Sequence, residues 1–214
     1  MDEQVRHVED DLHALMLTVP NLPLPQVPVG PDESGNVVTQ VRECRALHFR
    51  RSRTGILRER LGIIDFSAGS RFQAPGSMCC VATASSARAL ITWMLDLHTQ
   101  KHGYQEVYPP YLVLEQALYG TGNLPKFGAT LFRDIDEDKW LIPTAEVPVT
   151  NLYRDEILEE SMLPIYHTAY TACFRREQIS AGKDVRGIKR GYQFDKVEMV
   201  NSCTPISRRP STAV

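Results

Sequence analysis

The stretch from Cys173 to Glu198, CFRREQISAGKDVRGIKRGYQFDKVE, constrains the fold of this chain more than any other. Residues Ala169 to Arg175 are rich in strand formers, and Tyr192 to Val200 alternate polar and apolar types with period two, the pattern of a half-buried strand. Between them runs a loop with Gly182 and Gly187, where positive φ costs little, surrounded by Lys183, Arg186, Lys189 and Arg190. The spacing therefore predicts two strands joined by a long basic loop. Side chains two apart share a face, so Arg190, Tyr192, Phe194, Lys196 and Glu198 line up together, and Arg175 lies beside Glu177.

One sheet face then offers an arginine, an aromatic ring and a carboxylate. A guanidinium forks onto phosphate oxygens, a phenyl ring stacks on a base, and a carboxylate accepts from an amino group, which together suit a nucleotide. An exposed amphipathic hairpin with a solvated charged loop has the same spacing, and spacing alone leaves both readings open.

The 214 residues suffice for one good core with a small appended domain. A net charge of -2 argues against bulk nucleic-acid affinity, so any RNA contact is local. There is no apolar run long enough to span a bilayer and no basic-then-apolar start, which predicts a cytoplasmic protein without membrane attachment. The 5 cysteines contain no C-x-x-C pair and form neither a disulfide framework nor a zinc pattern. Cys79, Cys80, His98 and His102 are the nearest approach to a metal set, but adjacent thiols rarely reach one ion, and no metal site is expected.

Along the chain, Val5, Val8, Leu12, Leu15 and Met16 recur at helical spacing, and the prolines from Pro20 to Pro31 follow as a stiff extended connector. Ala84 to His102 favours a helix with Ser85 or Ser86 as N-cap, Gly103 as its stop, and a buried stripe of Leu90, Ile91, Met94, Leu95 and His98. A short strand, Gly103 to Tyr108, ends at Pro109-Pro110.

Several strings resemble bacterial-type seryl-tRNA synthetases, a class II family. Phe174-Arg175-Arg176-Glu177, SAGKDVRG over Ser180 to Gly187, and Gln193 to Glu198 resemble its second signature motif. The helix, strand and proline of 84–110 are similar to its first motif, which in the family forms the dimer interface. Thr121 to Phe127 looks like its TGxLPKF segment, Leu141 to Pro148 like its serine-binding TAE loop, and the proline-rich connector like the join between helical arm and catalytic domain. The likeness runs over about residues 9–41, 55–66 and 88–200. It implies an arm end and connector at 1–40, a poorly matching segment at 41–87, a partial catalytic core at 88–200 and an unmatched tail at 201–214. Gly191 and Tyr192 stand where a branched residue and a histidine are typical of the family.

The implied fold is α+β, an antiparallel sheet flanked by helices. The implied activity is activation of L-serine with ATP to seryl-adenylate and transfer to tRNA(Ser), in a homodimer. By the same resemblance Arg175 bridges the α-phosphate and the serine carboxylate as the catalytic residue, Glu177 holds the adenine amino group, Phe194 stacks under adenine, and Arg190 and Arg176 face the phosphates. Thr144, Ala145, Glu146 and Glu198 hold serine. The family's third motif, with the γ-phosphate arginine and the Mg²⁺ ligand, is expected beyond Val214, as is the helical arm before Met1. A non-catalytic ATP or amino acid binder, or a remnant without ligand, are the alternatives.

Cys44 to Thr54, Ser67 to Ala87 and Ser202 to Val214 lack the family pattern and begin and end abruptly, while family strings resume at the expected distance. Short frameshifts produce such text, and they are the expected origin of these stretches.

Overall fold

A computed structural model describes residues 2–20, 22–23, 25, 27–41, 56–57, 60–72, 79–80, 84–176 and 190–204. The chain divides into two compact units, Met1–Arg53 and Thr54–Val214.

In the first unit, α1 (Asp2–Met16) follows the apolar periodicity, and the Thr18 hydroxyl donates to the Leu15 carbonyl just beyond its end. Val5, Val8, Leu12, Leu15 and Met16 form an exposed stripe. In the connector, the Asp32 carboxylate accepts from the Ser34 N–H and starts a single turn of 3₁₀ helix, Glu33–Gly35.

The second unit begins with β1 (Ile64–Asp65), paired antiparallel with β2 (Cys79–Cys80). Between them lies α2 (Phe66–Phe72), whose first turn is capped by the Asp65 carboxylate accepting from the Ala68 N–H at 2.7 Å. Helix α3 (Ala84–Gln100) packs on the main sheet, and Gly103 just past it takes φ 74°. Ser85 and Ser86 fall inside the helix rather than at its cap. The predicted stripe needs one correction: Ile91, Met94, Leu95 and His98 are half-buried, but Leu90 is 59% exposed, beside Trp93 at 61%. Among the described residues nothing covers the start of that stripe.

The main sheet has the order β3 (Gln105–Glu106), β6 (Ile165–Phe174), β7 (Gln193–Ser202). β6 and β7 are antiparallel over their full length, from Ile165 opposite Ser202 to Phe174 opposite Gln193. β3 runs parallel to β6, so the sheet is mixed rather than purely antiparallel. Parallel neighbours require a long crossover, and here it holds β4 (Leu112–Val113), α4 (Glu115–Gly120), β5 (Trp140–Leu141) and α5 (Glu146–Thr150). β4 and β5 pair antiparallel. Pro148 sits in the first turn of α5, where its missing N–H has no helical partner to lose.

That crossover carries the core. Val113, Ala117, Leu118, Leu124, Leu131, Trp140, Ile142 and Val147 bury one another, with Tyr111 packed against them. Ala145, Val149 and Ala169 continue the core to the sheet, where Val200 joins them. Burying these side chains contributes about 1.5–3 kcal/mol for each large aliphatic one. The result anchors the segment from Ile142 to Glu146 against the end of the hairpin where Phe174 pairs with Gln193.

Candidate active site

Backbone bonds bring three distant pieces of chain together. The Ile142 N–H donates to Tyr111 O, and the Phe174 N–H donates to Ile142 O at 2.9 Å, which lays the residues after β5 alongside the end of β6. The Arg175 N–H donates to Tyr192 O at 2.9 Å, continuing the hairpin ladder one step past the strand ends. The Arg176 N–H donates to Thr130 O at 2.7 Å and ties the loop after α4 to the same corner.

On the face of β6 and β7 that carries Phe194, Lys196 and Glu198, the polar side chains form one cluster. The Thr144 hydroxyl, 6% exposed as a residue, donates to Glu198 Oε2 at 2.6 Å. Lys196 Nζ donates to Thr144 Oγ1 at 3.0 Å and forms an ion pair with Glu198. Charge-assisted bonds of this kind are the strong ones, and a half-buried setting screens them less than bulk water does. At the end of the hairpin where Phe174 pairs with Gln193, Arg175 lies with its guanidinium carbon 5.1 Å from the Phe194 ring centre, and its Nε donates a long bond of 3.4 Å to Pro143 O. Arg175, Phe194, Lys196, Glu198 and Thr144 thus occupy one continuous surface.

The other residues named from sequence divide. Ala145 is fully buried and packs in the core, so it supports the site from behind rather than facing it. Glu146 is exposed in the first turn of α5, its N–H 3.4 Å from Thr144 Oγ1. Arg176 lies over the Phe132 ring at 5.9 Å, and Phe132 in turn meets Tyr192 at 6.3 Å between centroids. Arg190 is exposed just ahead of β7. Glu177, with Gly182, Lys183, Arg186, Gly187 and Lys189 of the loop, lies outside the described residues.

Two features were not singled out from sequence as part of the site. Lys196 was placed on the face by its period-two spacing, but its bond to Thr144 spans 52 residues and has no local signature. The Phe132 and Tyr192 pair likewise joins a loop to the hairpin and follows from no spacing rule.

The chemistry this surface offers is binding and charge neutralisation. Burial pushes the Cys173 thiol up, against a smaller lowering by its hydrogen bond with Thr171, so it remains a protonated thiol and a poor nucleophile. Mg²⁺, which the sequence resemblance implies, does not fit the described residues: they contain no group of three or more His, Cys, Asp and Glu able to hold an ion, and Glu198 is engaged by Lys196 and Thr144. His98 and His102 do approach each other, Nδ1 to Nδ1 at 3.0 Å.

Comparison with known proteins places this geometry. The tRNA synthetase class II core domain (G, H, P, S and T) matches residues 129–212, a span that includes the hairpin and Thr144. The serine-tRNA ligase of Thermomicrobium roseum is 56% identical over 209 residues, covering 96% of this chain and 46% of the relative. Seryl-tRNA synthetase from Pyrococcus horikoshii, solved in complex with ATP, superimposes with a TM-score of 0.83 at 30% identity, over 92% of this chain and 49% of that one. The cytoplasmic serine-tRNA ligase of Naegleria fowleri, solved in complex with AMP, gives a TM-score of 0.83 at 25% identity over 95% of this chain and 49% of that one. The chain spans about half the length of the curated relatives it matches. Over that shared half, with its mixed sheet, its paired β6 and β7 strands and its buried core, the chain belongs to the seryl-tRNA synthetase family of class II.

Proposed function

We propose that this chain forms the ATP- and serine-holding side of a seryl-tRNA synthetase site, one that activates L-serine with ATP to seryl-adenylate and passes the seryl group to tRNA(Ser). The observation that carries this reading is the cluster of Thr144, Lys196 and Glu198 beside Arg175 and Phe194 on one sheet face. Activation is an in-line attack by a serine carboxylate oxygen on the α-phosphorus. A new P–O bond forms there while the bond to the β-phosphate oxygen breaks and pyrophosphate leaves. Such a step needs orientation and neutralisation rather than a side-chain nucleophile.

In this reading adenine takes the face of Phe194 that the Arg175 guanidinium covers, and Arg175 turns to the α-phosphate and the serine carboxylate. Glu177 holds the adenine amino group, and Arg190 and Arg176 stand toward the phosphates. Glu198, Thr144 and Glu146 take the serine ammonium and hydroxyl, with Ala145 packed in the core behind them. No step is routed through Mg²⁺. The ATP and AMP bound in the two solved relatives support nucleotide binding at this fold. Exposed Leu90, Trp93 and Tyr108 around α3 and β3 support a homodimer through that surface. Among the described residues no helix is long and apolar enough to cross a membrane, and we place the protein in the cytoplasm by the setting of its substrates.

Serine-dependent exchange of pyrophosphate into ATP tests the reading on the purified chain. Exchange above background that falls about 100-fold or more in Arg175→Ala is the expected result, the size of losing one transition-state donor. ATP binding without exchange favours a non-catalytic binder, and absence of binding by either ATP or a seryl-adenylate analogue overturns both.

A further inference from the structure

The Lys196 ammonium is the hub of the polar cluster, bonded to both Thr144 and Glu198. It reaches Thr144 Oγ1 at 3.0 Å and pairs with Glu198. The Thr144 proton is already committed to Glu198 Oε2, so Thr144 has only lone pairs to offer Lys196, and the three groups satisfy each other in a single arrangement. The Thr144 bond and the ion pair both fall on one carboxylate oxygen, Oε2, which leaves Oε1 as the acceptor for an incoming donor. Side-chain exposure is 19% for Glu198 and 35% for Lys196, so the carboxylate is the more buried partner and depends on the cation being present. The backbone reinforces this geometry. Lys196 stands opposite Thr171 and Glu198 opposite Ala169, both fully buried on the same face.

We propose that Lys196 is a positioning residue that holds Glu198 and Thr144 in the conformation that reads a substrate hydroxyl and ammonium, and thereby sets the preference for a hydroxyl-bearing amino acid over alanine. This rests on the serine-activating reading above. A site built to bond a hydroxyl rejects the analogue lacking it far more strongly than an apolar pocket separates shapes, because its polar groups are otherwise left unpaired. That discrimination needs Oε1 and the Thr144 oxygen held in place. Without Lys196 the carboxylate is free to turn toward water, and the two analogues become similar.

The test is calorimetric titration of the 214-residue chain with seryl- and alanyl-sulfamoyl adenosine and, separately, with ATP, for the parent, Lys196→Met and Lys196→Arg. The parent should favour the seryl compound by about 10-fold or more. Lys196→Met should bring the two within about 3-fold of each other while ATP affinity changes by less than about 2-fold, and Lys196→Arg should restore part of the preference. If Lys196→Met does not fold, Lys196→Gln keeps a donor for Thr144, removes the charge, and reads the same contrast. An unchanged seryl preference overturns the proposal, as does an equal loss of ATP and both analogues, which marks a phosphate-facing or purely structural lysine. A parent chain that binds ATP but neither acyl-adenylate analogue overturns the serine reading itself, and the role of Lys196 falls with it.

Discussion

At the residue scale, the two faces of the hairpin hold different chemistry, because successive side chains along each strand point to opposite faces. Glu198, Lys196 and Phe194 point to the site, while on the opposite face the Tyr170 hydroxyl donates to Asp195 Oδ1 at 2.9 Å. Burial, then the bond and charge of Asp195, push the Tyr170 phenol from 10.0 up to about 12. The neutral phenol is therefore favoured in the folded state, and the sign follows: this stabilisation is complete below pH 10.0 and is lost as pH rises toward about 12. Denaturation midpoints measured across that window should fall more steeply for the parent than for Tyr170→Phe, and parallel curves would show that the contact carries no such linkage. The residue scale also shows where sequence reading reaches its limit. Phe194 and Glu198 are legible as members of one face, since period two alone places them. Their partnership with Arg175 and Thr144 is not, because the bond from Thr144 to Glu198 spans 54 residues.

At the element scale, α4 and α5 are held together by Asn151, whose Nδ2 donates to Ala117 O at 3.0 Å and Val147 O at 2.8 Å. Gly120, the last residue of α4, makes room for it: a Cβ there would lie 2.9 Å from Asn151 Oδ1. Alanine is ordinarily the better helix residue by up to about 1 kcal/mol. Here Gly120→Ala should instead destabilise by about 1–2 kcal/mol, because the amide must turn away from two carbonyls to clear the new methyl. Urea unfolding reads this directly, and a midpoint equal to or above the parent's would refute it. Since α5 starts at Glu146, two residues after Thr144, the same substitution loosens the support under the site. The strands and helices themselves were mostly readable from pattern. β6 and β7 appear where strand formers and alternation place them, and α3 ends as Gly103 requires. Pattern did not reach two features: Leu90 has helical spacing with its neighbours but is 59% exposed among the described residues, and β3 joins the sheet parallel, as the long crossover that follows allows.

At the scale of the whole molecule, Leu90 and Trp93 on α3 and Tyr108 after β3 are exposed, and the homodimer proposed above would be tested through them. Sedimentation should show concentration-dependent self-association that weakens about 10-fold or more in Leu90→Lys with Trp93→Lys, since the introduced charges cannot be buried without a partner. A parent chain that melts sharply and reversibly as a monomer would argue against this surface. The irregular stretches offer a separate prediction about origin. Translating the encoding DNA across residues 44–54 and 67–87 in its other two frames should restore text like that of the relatives, and the frameshift reading fails if neither frame does.

By itself the sequence determined the two strands of the Cys173 to Glu198 hairpin through alternation, and the family resemblance, with the α+β class it implies, through strings such as TGNLPKF, PTAE and QFDKVE. These are short-range properties, set by the alternation of side chains along a strand and by residue types at fixed offsets. Only the tertiary structure decided that Thr144 shares its proton with Glu198, that Lys196 binds both, that Arg175 rests on Phe194, and that Leu90 is left uncovered. The contacts of Thr144 depend on packing the crossover core, which carries the segment from Ile142 to Glu146 to the end of the hairpin where Phe174 pairs with Gln193. Contacts across 52 and 54 residues arise from how buried apolar surfaces meet, and no local pattern encodes them.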